Sequence, residues 1–436
     1  MLTTLGNKPQ QPSLHLDFIE SFLSSNGRSG LQQVDDVAKI SVGQLRDVQL
    51  RSHYQPVYSF AHQRIVGFEA LVRPGRAGGD AFSPEVLFGS ASTLEDTVFL
   101  DRVCRTLHVR NFVRQAHDSG WLFLNINPMV TMHGREFGAF FGQLLARYGI
   151  PPHRIVIEIL EGQITDEVRL AESVRYYRDM GCLVAIDDFG IGHSNFDRIL
   201  RIAPHIVKLD RSIIEQAADN KTVQRVLPSL VSLIHEAGSL ALVEGVETEE
   251  QALIAMQSEV DFVQGYYFAR PHAMLPDLRF HPAIGKLFNR FLQDSQLEAV
   301  STRRRLAVYT QAFFDAVMKM REGVVVDAAL APFLGLEQVK RCYFLDDGGV
   351  QIGSNFAASH ATGDVDARFE PLNDARNAIW ARRQYFQKAI AEPGRVHISK
   401  PYLSITGGSL CVTLSIATHQ KDGLQVFCGD IDWVDS

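Results

Sequence analysis

Short apolar runs alternate with longer helical stretches through the middle of the chain. Runs of four or five mostly apolar residues, typical of strands buried on both faces, occur at 155–159, 183–186, 206–209 and 240–243. Between them, the stretches 168–180 and 222–237 have helical spacing, and a glycine, Gly181 or Gly238, follows as a helix C-terminal cap. This alternation predicts a parallel sheet covered by helices.

Polar residues stand where these predicted strands end. Glu158, Glu244 and the pair Asp187 and Asp188 close three runs, and Lys208 lies near the end of a fourth, followed by Asp210. Barrel enzymes build their sites at the carboxyl ends of several strands, and many strands converge more easily in a closed barrel than in a doubly wound open sheet. We therefore expect an α/β fold with a closed barrel over residues 46–282.

The flanking segments have other patterns. Residues 1–45 form an N-terminal extension, in which 14–23 has helical spacing. Residues 283–322 predict one long helix, which either connects domains or pairs with a second chain. Residues 323–436 predict strands and turns, with a hairpin across Asp346 to Gly349 and two strands at 410–417 and 424–431, so we expect a smaller α+β domain.

Composition narrows the class of protein. The 436 residues are 46% apolar, as in an ordinary globular protein, and the net charge of −7 argues against DNA or RNA as a partner. Five scattered cysteines without a CxxC pair indicate buried thiols rather than zinc or disulfides. Neither a signal peptide nor an apolar run of about 20 residues is visible, so we expect a cytoplasmic protein without membrane insertion.

The polar strand ends also indicate a kind of chemistry. Converging carboxylates repel one another unless a cation compensates them, and oxygen ligands suit Mg²⁺ and Mn²⁺. Two-metal sites of this kind serve displacement at phosphorus. Both Asp187 and Asp188 can face the metals only where a turn begins, which Gly190 and Gly192 would supply.

Each of these pieces has an ordinary structural explanation when it is taken alone. An acidic pair before Phe-Gly is usually a turn or a helix N-cap, and a lone lysine such as Lys208 usually lies at the surface. Glu244 and Glu247 are three residues apart, which is common at a helix start. Their joint occurrence at successive strand ends favours a site.

With these residues assembled, positions 50–272 resemble the EAL family of cyclic di-GMP phosphodiesterases. The signature is Glu69-Ala70-Leu71, followed by Arg73 in the position that contacts phosphate in the family. Gln55-Pro56-Val57 is similar to the family's opening motif, and Gln264-Gly265-Tyr266 to a later one. The resemblance implies a (β/α)8 TIM-like barrel with one antiparallel strand. It also implies Mg²⁺- or Mn²⁺-dependent hydrolysis of cyclic di-GMP to linear pGpG.

The same resemblance implies roles for individual residues, in which Lys208 would assist the attacking water and Glu161 would anchor the loop after Asp188. The ligands of one metal would be Glu69, Asn125, Glu158 and Asp187, and those of the second Asp187, Asp188 and Glu244. The catalytic residues would be Glu69, Lys208, Glu244 and Glu161. The substrate-binding residues would be Gln55, Leu71, Arg73, Asp210, Glu247 and Gln264.

One loop departs from the family pattern. Active members usually carry Thr, Tyr and Ser where this chain has Ile191, His193 and Asn195. In the family this loop couples the contacts of a homodimer, which we expect here too, to the second metal. Because the metal ligands are all present, the departure affects the predicted regulation more than the chemistry. A lone loop histidine such as His193 is more often structural than a metal ligand.

The C-terminal segment resembles a Cache or PAS-like sensor domain. By that resemblance Arg383, Tyr385, Phe386 and Asp430 would face an unknown small ligand. The alternative is that the aromatic residues are core and that Arg383 pairs with Asp430. The leading hypothesis is a phosphodiesterase regulated by this domain; the alternatives are a receptor that binds cyclic di-GMP without cutting it, and an interaction scaffold.

Overall fold

The computed structural model describes most of the chain in two compact units, Met1–Leu292 and Gln293–Ser436. The described residues are 29–35, 40–45, 47–76, 79–115, 120–133, 140–160, 166–190, 196–276, 282–361, 375–404, 409–420 and 423–433. The predicted helical stretch 14–23 and the loop positions 191–195 lie outside them. Among the described helices, none combines the length and apolar character needed to cross a membrane.

Eight strands of the first unit close into a barrel. They are β3 (Val48–Ser59), β4 (Arg64–Arg76), β5 (Trp121–Ile126), β6 (Ile155–Leu160), β7 (Leu183–Phe189), β8 (Ile206–Leu209), β9 (Leu240–Val243) and β10 (Phe262–Val263). β3 runs antiparallel to both of its neighbours, β4 and β10, while the neighbours in the rest of the ring pair in parallel. The predicted barrel with one antiparallel strand is confirmed, and the open doubly wound sheet is excluded.

Two further strands precede the barrel. β1 (Ser29–Asp35) pairs with β2 (Ile40–Leu45), and β2 pairs in turn with β3. The sheet therefore reaches back into the segment predicted as an N-terminal extension. That segment is joined to the barrel by backbone hydrogen bonds rather than by a linker.

Helices cover the outside of the barrel. They are Pro84–Gly89, Leu94–Gln115, Pro128–His133, Phe140–Tyr148, Glu167–Asp179, Phe196–Ile202, Arg211–Asp219, Lys221–Glu236 and Glu249–Gln257, with a 3-10 turn at Pro152–Arg154. Side-chain caps begin several of them: Asp166 and Asn220 accept from backbone N–H groups, and Thr248 forms a capping box with Gln251. The helices Glu167–Asp179 and Lys221–Glu236 lie within one residue of the predicted stretches 168–180 and 222–237.

An apolar layer fills the barrel below its carboxyl end. It consists of Val57, Phe123, Val156, Ala185, Ile206, Leu242 and Phe262, one from each of seven strands. The eighth strand, β4, contributes Gly67 at this level, and a Cβ there would lie 2.7 Å from the Phe123 ring. This layer is an apolar floor, and the next layer of inward-pointing side chains packs above it.

The second unit contains a six-stranded antiparallel sheet. Its strands are β11 (Val339–Leu345), β12 (Gln351–Ala357), β13 (His397–Ile398), β14 (Tyr402–Leu403), β15 (Leu410–Gln420) and β16 (Gly423–Asp432). Its helices are Val326–Leu334 and Gln384–Ala391, with a 3-10 turn at Ser359–Ala361, and the long helix Pro282–Arg321 begins in the first unit and ends in the second. Both predicted strand pairs, β11 with β12 and β15 with β16, are present. All five cysteines are buried free thiols, as predicted.

Candidate functional site

One polar side chain from each barrel strand or its end lies directly above the apolar floor. Side chains alternate along a strand, so the residue two positions from each floor residue points into the barrel as well. The resulting ring consists of Gln55, Glu69, Asn125, Glu158, Asp187, Lys208, Glu244 and Gln264. All eight were predicted site residues, and the barrel brings them together.

Lys208 lies at the centre of this ring and is only 1% exposed. Its Nζ is 2.5 Å from Glu158 Oε1 and 2.5 Å from Glu244 Oε1. Asp187 Oδ1 is 3.0 Å from the same nitrogen, and Glu69 Oε2 is 3.9 Å away. Burial at this depth excludes the surface role that a lone lysine usually has.

Two amides hold the carboxylate of Glu69. Asn125 Nδ2 donates to Glu69 Oε1 at 2.8 Å, and Gln264 Nε2 donates to Oε2 at 2.7 Å. Gln264 Nε2 also lies 3.1 Å from Gln55 Oε1, and Gln55 donates onward to the carbonyl oxygen of Ala269. These bonds fix the direction in which Glu69 points.

A bulge in β7 turns its two aspartates toward the site. Ile186 pairs with Val207 and Phe189 with Leu209, so Asp187 and Asp188 together face the single residue Lys208 on β8. Asp188 has a φ of 60°, a left-handed conformation that aspartate tolerates better than most residues. The chain therefore turns at Asp188 itself, two residues before Gly190, which also has a positive φ, 111°, and was predicted to supply the turn.

Burial and mutual repulsion set the protonation of this cluster. Burial, with Glu69 nearby, raises the pKa of Glu158 well above its usual range, and burial does the same to Glu244. Burial followed by the charge of Asp187 raises the pKa of Asp188 to about 6. Burial alone would lower the pKa of Lys208, but the surrounding carboxylates hold it well above its usual value. Lys208 is therefore protonated at neutral pH.

The donor set fits divalent cations. Oxygens of Glu69, Glu158 and Glu244 lie within 4.8 Å of one another, and so do oxygens of Asp187, Asp188 and Glu244. Five ionised carboxylates and one ammonium would leave four negative charges uncompensated, which two divalent cations balance. Within the described part of the chain, both carboxylate oxygens of Glu158 lack a hydrogen-bond donor of good geometry. Hard cations bind such oxygens readily.

The remaining substrate-binding candidates lie at the rim or beyond it. Glu69, Leu71 and Arg73 are two residues apart on β4, so they share a face, and β4 continues past its last pair with β5 at Ala70. Asp210 instead caps the helix Arg211–Asp219 by accepting from the backbone N–H of Ser212. Glu247 is exposed and pairs with Arg211 at 2.8 Å. Glu161, the predicted loop anchor, lies outside the described residues.

In the second unit, the four predicted sensor residues lie in a small polar pocket, in an apolar cluster, or in both. Arg383, Tyr385 and Asp430 line a small polar cavity, and the Arg383 guanidinium lies 5.5 Å from the centre of the Tyr402 ring. Tyr385 and Phe386 are both buried in one apolar cluster, as the alternative of core aromatic residues predicts. Asp430 pairs with Arg341 at 2.8 Å, so the other part of that alternative, a pair between Arg383 and Asp430, is wrong.

Several ion pairs near these sites were not predicted from the sequence. Arg341 gave no signal, because a strand arginine is usually exposed. Asp101 and Arg105 form a buried pair on the helix Leu94–Gln115 and contact the turn after β5. Their spacing of four residues, which places Asp101 and Arg105 next to each other on a helix, was the available signal.

These observations define a β/α barrel whose mouth holds a lysine-centred ring of carboxylates suited to divalent metals. The EAL domain family matches residues 40–271, more than half of the chain. The chain therefore belongs to the EAL domain family.

Similarity to individual proteins agrees with this membership. The chain is 28% identical over 251 residues to the cyclic di-GMP phosphodiesterase RocR of Pseudomonas aeruginosa, covering 57% of this chain and 63% of RocR. It is 30% identical over 242 residues to an uncharacterised protein of Azorhizobium caulinodans, covering 54% of this chain and 33% of that protein. The chain thus spans less than two thirds of either relative.

One relative is similar over nearly its whole length. The EAL-domain protein YkuI of Bacillus subtilis is 26% identical over 353 residues, covering 78% of this chain and 83% of YkuI. The crystal structure of YkuI, in complex with substrate cyclic di-GMP and calcium, superposes with a TM-score of 0.76 at 22% identity. That superposition covers 88% of this chain and 97% of YkuI, so the two share their fold across both units.

Proposed function

We propose that this chain hydrolyses one phosphodiester bond of cyclic di-GMP to give linear pGpG, using two Mg²⁺ or Mn²⁺ ions. The observation that carries the proposal is the position of Lys208, within 4 Å of carboxylates from four different strands. Membership of the EAL domain family supports the reaction class. The name of RocR as a cyclic di-GMP phosphodiesterase, and the substrate in the YkuI crystal, support the choice of substrate.

Two groups of residues would hold the cations. The first group would be Glu69, Asn125, Glu158 and Asp187, of which Glu69 and Glu158 lie in one carboxylate cluster with Glu244. The second would be Asp187, Asp188 and Glu244, which form the other cluster. Bound divalent cations supply Lewis-acid stabilisation of phosphoryl oxygens and lower the pKa of coordinated water. Asn125 donates its amide N–H to Glu69, which leaves its carbonyl oxygen available for a metal.

The protein side chains have separate tasks in this reaction. Because the surrounding carboxylates hold the pKa of Lys208 above its usual value, its Nζ would carry a positive charge that stabilises negative charge in the reaction. Gln264 and Asn125 orient Glu69. Arg73, above the ring on the same strand face as Glu69, would bind a phosphate through its guanidinium. Gln55, Leu71, Asp210 and Glu247 complete the proposed substrate contacts.

The remaining parts of the proposal concern regulation. The phosphodiesterase barrel would be residues 46–282, preceded by an N-terminal extension at 1–45. It would be followed by a linker helix at 283–322 and a PAS/Cache-like sensor domain at 323–436. A small ligand bound near Arg383, Tyr385 and Asp430 would change turnover through the linker helix, in a homodimer. The polar groups that these residues share with Arg341 and Tyr402 are the basis for this part of the proposal, and because the pocket is only about 10 Å³, room for about one water molecule, a ligand would have to displace side chains there.

Product analysis tests the proposed reaction. The purified chain is incubated with cyclic di-GMP and Mn²⁺ or Mg²⁺, and the nucleotides are separated by chromatography. We expect linear pGpG to accumulate and a chelator to stop its formation. Unchanged cyclic di-GMP, with tight binding shown separately at saturating Mn²⁺, would establish the receptor alternative instead.

A further inference from the structure

The helix Leu94–Gln115 carries an ion pair that is almost fully buried. Asp101 and Arg105 are 2% and 3% exposed, and Asp101 Oδ2 accepts from Arg105 Nε at 2.7 Å and from Arg105 Nη2. The Arg105 guanidinium also lies 5.3 Å from the centre of the Phe141 ring. A buried pair of charges is costly, and it needs further hydrogen bonds to be stable.

The second oxygen of Asp101 makes such a bond at the end of a barrel strand. Asp101 Oδ1 accepts from the backbone N–H of Asn127 at 3.2 Å. Asn127 also begins the helix Pro128–His133, because its side chain accepts from the N–H of Met129 at 2.9 Å. Asp101 therefore fixes the point at which β5 ends and the next helix starts.

That point lies two residues after Asn125. Asn125 projects from β5 into the site and donates to Glu69 at 2.8 Å. The direction of the Asn125 side chain depends on the position of the last peptide units of β5. Asp101 fixes that position, because it accepts a hydrogen bond from the N–H of Asn127, just after the strand. A displaced Asn127 would swing Asn125 away from Glu69.

We propose that Asp101, held in place by Arg105, is a positioning residue that orients Asn125 toward the metal-binding carboxylates. This inference rests on the proposed function, since it assigns Asn125 to the metal site. Burial alone would lower the pKa of Arg105, but Asp101 and Tyr177 hold it above its usual value, so Arg105 keeps its positive charge across the physiological range. The alternative is that the pair only packs the helix against the barrel.

Metal affinity distinguishes the two roles without depending on turnover. Mn²⁺ binding to the full chain is measured by titration calorimetry in wild type, Asp101→Ala and Thr106→Val. Residues that orient metal ligands typically change affinity by about 10- to 100-fold, so we expect Asp101→Ala to weaken Mn²⁺ binding about tenfold. Thr106 is a matched control, because it is buried on the same helix and donates only to the carbonyl oxygen of Arg102. Its replacement should leave the affinity unchanged.

A double-mutant cycle with Asn125→Ala then decides the route of the effect. If Asp101 acts through Asn125, removing Asp101 from the Asn125→Ala variant causes no further loss of affinity. Additive losses would overturn the proposal, and so would an unchanged affinity in Asp101→Ala. If Asp101→Ala does not fold, the same cycle is run with Arg105→Gln, with the same expectation and the same contradicting result.

Different results would contradict the role of Asp101 and the proposed function. A wild-type chain that binds Mn²⁺ but releases no pGpG contradicts the proposed reaction and leaves the cycle interpretable. If the wild-type chain forms pGpG and the losses of affinity in the double-mutant cycle are additive, the proposed reaction stands and the proposed role of Asp101 is wrong.

Discussion

Lys208 and the carboxylates around it depend on one another at the scale of single residues. Glu158 is fully buried and Lys208 is 1% exposed, and buried charges are stable only when they are paired. The residue types at the strand ends could be predicted from the sequence, because each follows an apolar run. Which of these residues are in contact could not be predicted, because the sequence spacing around Lys208 identifies no partner for it.

Replacement of Lys208 tests this dependence. In Lys208→Met the metal-free chain should lose about 3–5 kcal/mol in its free energy of unfolding, because four carboxylates lose their cation. Mn²⁺ should restore much of the loss, and urea denaturation with chelator or with Mn²⁺ measures both. Lys221→Met, at an exposed helix position, is the control. Equal losses in the two variants would contradict the account.

Protonation of Asp188 should make metal binding depend on pH. Its pKa of about 6 is raised from 3.8, so below about pH 6 a proton occupies the oxygen that a metal needs. Mn²⁺ affinity should therefore fall by at least about tenfold for each pH unit below 6 and level off above neutral pH. For the metal-free chain the sign is opposite: ionising Asp188 disfavours the fold, so stability falls as pH rises from about 4 to about 6. Calorimetric titration and urea denaturation across this range measure the two trends, and a flat affinity would contradict the assignment of Asp188.

At the scale of elements, the positions of the inner strands and of the residues at their ends were the features that the sequence predicted best. Apolar runs and glycine caps located the inner strands and two helices because these signals are local. The bulge in β7 was not predictable, because it depends on how Asp187 and Asp188 pair with β8. Nor was the pairing of β1 and β2 with the barrel, because their sequence has no clear strand pattern.

Gly265 lies where two loops pack so closely that there is no room for a side chain, which the sequence alone does not indicate. A Cβ at this position would lie 2.0 Å from the carbonyl oxygen of Val246, in the loop that follows Glu244. Gly265→Ala must therefore displace that loop, and a shift of about 1 Å at a reacting group can lower turnover about 100-fold. Steady-state hydrolysis of cyclic di-GMP measures the effect. Gly89→Ala is the control, since nothing lies within 4 Å of its added Cβ, and similar activities in the two variants would contradict the argument.

Each unit has its own core at the scale of the whole molecule. The barrel core includes Leu124 and Ile157, while Phe313, Phe333 and Leu414 form the centre of the core in Gln293–Ser436. The change from helix-strand alternation to paired strands predicted two architectures in one chain. The contact between Asp101 and Asn127 was not predictable, because the two residues are 26 positions apart in sequence.

Separate cores predict separate unfolding. A Cβ on Gly429 would lie 2.8 Å from Phe333 and 3.1 Å from Phe313, so Gly429→Val should overpack the second core by about 1–3 kcal/mol. Scanning calorimetry should show two transitions, of which Mn²⁺ raises the barrel transition. The substitution should lower only the other one, by several degrees. A single transition that responds to both changes would contradict independent units.

The central claim is that the carboxylate ring of this barrel hydrolyses cyclic di-GMP with bound metal. The most direct test is a time course of pGpG formation in Mn²⁺ by wild type and by Glu69→Ala, with circular dichroism to show that both are folded. The account predicts steady accumulation of pGpG by wild type and essentially none by Glu69→Ala, because Glu69 contributes to the proposed first metal group and anchors Asn125 and Gln264. Equal turnover by the two proteins, or none by wild type, would contradict it.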